Sequence, residues 1–213
     1  MASLILEKEQ AIELGLCTEE QIWYEGKAYD AEEFSNLKSI HVKGDLNLRH
    51  TFISKLPRET KVDGSLILIG CEHLKSLPAG LRVGKHLFLQ GSSSIESLPE
   101  GLRIAGILNL YHCVSLKSLP RGLVVGDKLD AGHCFNLKSL PTGLKVGGDC
   151  DLFMCRSLES LPPRMVVGRN LNLYGCHSLK EIPEDIQIGG SLTLKGSNLD
   201  APSDLKVGGK IYI

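Results

Sequence analysis

The chain has 213 residues, enough for one or two ordinary domains, and 42% of them are hydrophobic, so a sizeable core can form. Aromatic residues make up only 5%, while glycine occurs 23 times. This balance disfavours an enzyme core packed with Phe and Trp and is typical of many tight turns filled by aliphatic side chains.

The net charge of −1 hides two segments of opposite sign. Residues 1–36 hold nine acidic and two basic residues, net −7, and residues 37–213 hold 22 basic and 16 acidic residues, net +6. The split predicts an acidic N-terminal segment followed by a different, basic unit.

Residues 1–36 are predicted to form a small α/β cap. The stretch "ILEKEQAIELGL" has the pattern of an amphipathic helix ending near Gly15, and residues 18–21 fit a capping box. "WYEGKAY" is typical of a hairpin that turns at residues 25–26. Because a solenoid needs its first apolar turn covered, we expect this segment to cap the array that follows.

The start of the chain has no pattern of a secretory signal or a membrane span. The apolar run before Glu7 extends only from Leu4 to Leu6, which is shorter than either requires. We therefore expect a cytoplasmic protein without membrane insertion. Delivery into a host cell by a route without a readable signal stays open.

Residues 37–213 consist of copies of one sequence motif, for example "SLPEGLRIAGILNLYHC". Its proline recurs every 21 residues, and one further copy follows after 19. The prolines are Pro57, Pro78, Pro99, Pro120, Pro141, Pro162, Pro183 and Pro202. An earlier copy without the proline contains Val42, so we expect about nine turns of a repeat array.

Positions counted from each proline have distinct characters. Positions 9 and 11 are apolar in nearly every copy, which predicts a short strand with one buried face, preceded by a tight bend at glycine. Each unit lacks room for a helix, so its far side is predicted to be extended or a short 3₁₀ piece.

The cysteines follow the repeat. Position 14 holds Cys71, Cys113, Cys134, Cys155 and Cys176, and Ser92 or Ser197 in other copies. Turns stacked ~4.8 Å apart keep these sulfurs too far from one another to share a zinc ion. We expect buried, reduced thiols and assign no metal, no cofactor and no catalytic residue, since Cys17 has no histidine nearby and no phosphate-binding loop occurs.

The segments "LNLYGCHSLKEIP" and "LILIGCEHLKSLP" resemble the leucine-rich repeat pattern L-x-L-x-x-(N/C)-x-L-x-x-L-P, with one extra residue after the Cys. The short period looks most like bacterial leucine-rich repeats of the effector type. The resemblance spans residues 37–213 and implies a leucine-rich repeat solenoid: a curved right-handed array, mostly parallel β, that recognises other molecules and performs little chemistry.

Function is expected on the outward strand positions 8, 10 and 12, where the residue type varies. The candidate partner-binding residues are Phe88, Asn109, Tyr111, Lys128, Asp130, Asp149, Asp151, Phe153, Asn172 and Tyr174. Aromatic anchors among hydrogen-bonding groups are typical of a protein interface and also of a carbohydrate platform, and a sheet face that merely tolerates such residues is the plain alternative.

The first hypothesis is a non-enzymatic module that binds a protein through this face, as a bacterial effector does. The second is the targeting part of a leucine-rich repeat ubiquitin-ligase effector without its catalytic domain. Nucleic-acid binding is disfavoured because the candidate face carries aspartates, while the bases lie in other columns. Ile211 and Ile213 continue the inward columns with no following turn in the sequence to cover them, so we expect either self-association through the last turn or a missing C-terminal extension.

Overall fold

The computed structural model describes residues 22–24 and 27–213. The helix predicted to end near Gly15 and the capping box predicted at residues 18–21 lie outside the described residues. Within them, the chain is a parallel β-solenoid with a repeat of about 21 residues and almost no helix.

The main sheet contains nine parallel strands, one from each turn, in which neighbours pair in register. Its strands are β4 (Leu46–Asn47), β6 (Leu66–Ile67), β8 (Leu87–Phe88), β10 (Leu108–Asn109), β12 (Leu129–Asp130), β14 (Cys150–Asp151), β16 (Leu171–Asn172), β18 (Leu192–Thr193) and β20 (Ile211–Tyr212). These are the strands predicted at positions 9–11. Nine strands enclose about eight complete turns, slightly fewer than the count of repeat copies suggested.

A second ladder of parallel strands follows the prolines. It consists of a three-stranded sheet and a six-stranded sheet. The strands are β3 (Ser39–Val42), β5 (Glu59–Val62), β7 (Arg82–Val83), β9 (Arg103–Ile104), β11 (Val124–Val125), β13 (Lys145–Val146), β15 (Val166–Val167), β17 (Gln187–Ile188) and β19 (Lys206–Val207). Of the two conformations predicted for the far side, the extended one is present here.

The bend between the two strands of each turn is confirmed at positions 6 and 7. At Gly147, a Cβ atom would collide with the carbonyl oxygen of Gly126 in the preceding turn. Close backbone stacking therefore explains why most of these bends contain glycine.

The core is a continuous stack of Leu, Ile and Val side chains. Residues at positions 9 and 11, such as Leu87, Leu89 and Leu108, are fully buried. The prediction that the ladder cysteines are buried is also confirmed. Each thiol donates to a main-chain carbonyl of the preceding turn, for example Cys134 Sγ to Leu110 O at 3.1 Å. The stack is thus held by apolar burial plus a repeated polar contact.

The hairpin predicted in "WYEGKAY" is confirmed by antiparallel pairing of β1 (Ile22–Tyr24) with β2 (Lys27–Tyr29). It leads into a short helix, α1 (Ala31–Ser35), whose N-cap Asp30 and N3 residue Glu33 form a capping box that was not predicted. Phe34 is fully buried and joins the core. No helix in the described part of the chain is long and apolar enough to cross a membrane.

Candidate functional site

All ten residues of the predicted site lie on the main sheet or immediately beside its strands. Asn109, Asp130, Asp151 and Asn172 occupy position 10 on four neighbouring strands and pair in register. Tyr111, Phe153 and Tyr174 follow at position 12, and Lys128 and Asp149 precede at position 8. The structure therefore brings the predicted residues to one face, with Phe88 at its margin, where the ring contacts His86 at a centroid distance of 5.7 Å.

Position 10 has a structural task as well as an exposed side chain. Asp151 Oδ1 accepts a hydrogen bond from the Phe153 amide at 3.0 Å, and Asn172 and Asn109 accept from Tyr174 and Tyr111 in the same way. This side-chain turn explains why Asn and Asp recur here, because both carry an oxygen that reaches the amide two residues on.

A continuous row of four rings crosses the middle of the face. Tyr111 contacts His133, His133 contacts Phe153, and Phe153 stacks on Tyr174, with centroid distances of 5.2, 5.1 and 5.2 Å. We call Tyr111, His133, Phe153 and Tyr174 the aromatic row. Such spacing is favourable for ring pairs and gives the row a defined geometry.

Among the four turns that the row crosses, His133 completes the row at the one that lacks an aromatic residue at position 12. That position is Gly132, and a Cβ atom there would lie 3.2 Å from the Tyr111 ring. The space above Gly132 is used by Tyr111, and the imidazole of His133 bridges to Phe153. The sequence interpretation missed His133 because it considered only strand positions.

His133 adopts a left-handed backbone conformation, with φ of 59°. Position 13 is left-handed throughout, and it is glycine at residues 70, 91, 175 and 196. Three consecutive turns instead place His112, His133 and Met154 there, at a cost of about 1 kcal/mol or more each. Outside the face, His50 also occupies this position, with its ring against Gly70. The interruption of the glycine column was the sequence signal for His133.

A second group of rings flanks the row on the side away from the aspartates. Phe135 contacts His133 and His112 at centroid distances of 5.4 and 6.1 Å, and the Arg156 guanidinium lies 5.6 Å from the Phe135 centroid. Phe135 is half-buried within this surface cluster. The cluster widens the aromatic surface from one row to two.

The polar side of the row is acidic. Lys128 Nζ pairs with Asp130 Oδ2 at 2.9 Å. Burial would lower the pKa of Lys128, but its hydrogen bond to Asp130 and the neighbouring carboxylates raise that pKa overall. The pKa of Asp151 is raised, first by burial and then by the charge of Asp130, against the lowering effect of its hydrogen bonds and Lys128. Asp151 is thus held as a partly desolvated carboxylate.

The histidines beside the ladder cysteines face away from the thiols. Cys113 and Cys134 are fully buried, whereas His112 and His133 contact rings on the surface. Burial raises the pKa of Cys134 and Cys176 to about 12. In each His–Cys pair, the cysteine therefore lies in the core and the histidine at the surface.

Comparisons with family models, with curated proteins and with solved structures each found no match to this chain.

Proposed function

We propose that this chain is a non-enzymatic recognition module of the leucine-rich repeat type, which binds a protein partner through the outward face of the main sheet. The aromatic row forms the centre of the binding surface. Tyr111 and Tyr174 are its most accessible rings, with exposed fractions of 43% and 37%. Exposed aromatic residues surrounded by half-buried polar groups are typical of interface centres.

The observation that carries this proposal is the run of departures from the repeat in three adjacent turns. There the glycine column gives way to His112, His133 and Met154, and two inward leucines give way to Ala131 and Cys150. Non-glycine residues at left-handed backbone positions cost stability, so their presence favours a role in binding rather than in folding. His133 uses its strained position to complete the aromatic row.

The polar residues at position 10 repeat in register, and Asn109, Asp130, Asp151 and Asn172 each accept a turn hydrogen bond, which favours binding over an enzymatic role. A bacterial effector, or the targeting part of a ubiquitin-ligase effector, would use such a surface. A carbohydrate ligand is the second candidate, because the aromatic row also suits stacking against sugar rings.

The test compares partner affinities of single variants of the full chain. After affinity capture and mass spectrometry identify the partner, Tyr111→Ala and Tyr174→Ala should each cost ~1–3 kcal/mol of binding, as central anchors do. His133→Gly should weaken binding without lowering stability, because it removes a ring and relieves the left-handed backbone.

The matched control is His50→Gly, which relieves the same backbone conformation far from the row and should leave binding unchanged. If all three row variants bind as tightly as the parent, the proposed face is wrong. Sugar-array binding that requires Tyr111 and Tyr174, with no captured protein requiring them, would favour the carbohydrate function instead.

A further inference from the structure

Three carboxylates lie on the face beside the aromatic row, and only one lysine accompanies them. Lys128 is engaged with Asp130 at 2.9 Å. Asp149 Oδ1 accepts hydrogen bonds from the amide and the side-chain nitrogen of Asn170 at 3.0 and 2.9 Å. The polar edge of the row therefore has an excess of negative charge.

Asp151 is the carboxylate most closely tied to the rings. Its Oδ1 accepts from the Phe153 amide at 3.0 Å and from Asn172 Nδ2 at 3.1 Å. Within the described residues its other oxygen has no hydrogen-bond partner, and the side chain forms no ion pair. A half-buried carboxylate with an unused acceptor oxygen and an aromatic ring thus belong to one local turn.

We propose that the partner presents an arginine side chain, whose guanidinium packs against the exposed rings of the aromatic row and pairs with Asp151. This inference rests on the proposed function and names the chemistry of the partner. Arginine fits both surfaces because its guanidinium is planar, stacks on aromatic faces and donates two parallel hydrogen bonds to a carboxylate. Pairing would also compensate the carboxylate that the fold keeps partly desolvated.

Charge complementarity disfavours the other occupants. Residues 1–21 of this chain contain five glutamates and one lysine, so that segment would be repelled by the acidic edge. The same face of a second copy carries the same charges, and nucleic acid phosphates are also negative. A neutral sugar could use the rings but would leave Asp151 without a counter-charge.

The probe is an acetylated and amidated Gly-Arg-Gly-Arg-Gly peptide, titrated into the isotope-labelled full chain and followed by amide NMR. Otherwise identical peptides contain citrulline, which keeps the shape without the charge, or lysine. We expect the arginine peptide to bind most tightly and to shift the amides of Gly132 and Phe153, which donate to Asp130 and Asp151. Binding should weaken as salt is added.

Asp151→Asn and Asp130→Asn should each weaken the arginine peptide about tenfold, because the charge pair is lost while the turn hydrogen bond can still form. The control is Asp127→Asn, which removes an exposed carboxylate paired with Arg169 at 2.7 Å, away from the row, and should have no effect.

Equal binding of the citrulline peptide, shifts confined to another face, no binding at millimolar peptide, or equal weakening by Asp127→Asn would each overturn the inference. The captured partner separates this failure from that of the proposed function. If its binding requires Tyr111 and Tyr174 but is unchanged by Asp130→Asn and Asp151→Asn, only the arginine inference is wrong. If it requires none of the four side chains, the proposed function is wrong as well.

Discussion

At the scale of single residues, position 10 shows that a repeat position whose residue type varies can still be constrained by the fold. Its Asn and Asp residues were predicted to be chosen for binding, yet five of them also accept a backbone hydrogen bond two residues on. The turn specifies an oxygen at this place but not a charge. The choice of aspartate at residues 130 and 151, where residues 109 and 172 are asparagine, is therefore the part of the pattern that the fold does not explain.

Asp151→Asn is expected to raise the melting temperature at neutral pH. The folded-state pKa of Asp151 lies above its ordinary value of 3.8, mainly through burial, so ionisation disfavours the folded state. Asparagine keeps the acceptor for the Phe153 amide, as it does at the equivalent Asn172. The gain over the parent should shrink as pH falls towards 3.8 and the parent carboxylate becomes protonated. Thermal unfolding across pH measures it.

Asp63→Asn is the control, because the pKa of Asp63 is shifted in the direction opposite to that of Asp151. Hydrogen bonds from His41 and Lys61 lower the pKa of Asp63, so its ionised form favours folding, and that contribution is lost as pH falls through the lowered pKa. The variant should be less stable than the parent at neutral pH. A neutral-pH loss of stability in Asp151→Asn would contradict our account of this carboxylate.

At the scale of elements, the strands in which apolar and polar residues alternate could be predicted from the sequence, and the elements without such alternation could not. Positions 9 and 11 alternate with polar residues, so the main strands and their outward face were predictable. From β7 onward, the strands of the second ladder have two residues, one of them inward, such as Val146 in Lys145–Val146, and so short a strand shows no alternation in the sequence. For the same reason Tyr111 and Phe153 were predicted for the site, but His133, which lies after the strand on left-handed backbone, was not.

Gly101→Ala tests the turn that connects these elements. Gly101 adopts φ of 68°, and no neighbouring atom lies within 4 Å of the place that a Cβ atom would occupy, so an alanine there meets backbone strain alone. We expect a loss of ~1–2 kcal/mol in the free energy of unfolding, measured by urea denaturation. Gly80 occupies the same repeat position without a positive φ, and its added Cβ would lie 3.4 Å from the Arg58 carbonyl oxygen.

Gly80→Ala should consequently be neutral or slightly stabilising, because it mainly restricts the unfolded chain. Equal losses in the two variants would mean that space, rather than backbone conformation, selects glycine in this turn.

At the scale of the whole molecule, a solenoid buries each turn against its neighbours, so a turn at either end of the array lacks one of the two neighbours that an interior turn has. Leu192 on β18 is fully buried, whereas Ile211, which pairs with it in register on β20, is 38% exposed. Ile213 is 75% exposed. Within the described residues, β20 has a strand neighbour on one side only, and its free edge carries apolar side chains.

For the 213-residue chain in solution, the exposed apolar edge of β20 should pair with another copy, so we expect the mass measured by light scattering to rise above 23.2 kDa with increasing concentration. Ile211→Lys should reduce this association, because a charged side chain on the edge opposes strand pairing. Phe52→Lys makes the same change at a side chain that is 67% exposed but lies near the opposite end of the array, and it should leave association unchanged. A constant monomer mass would rule out edge pairing. Loss of association in Phe52→Lys alone would assign the contact to the first turns instead.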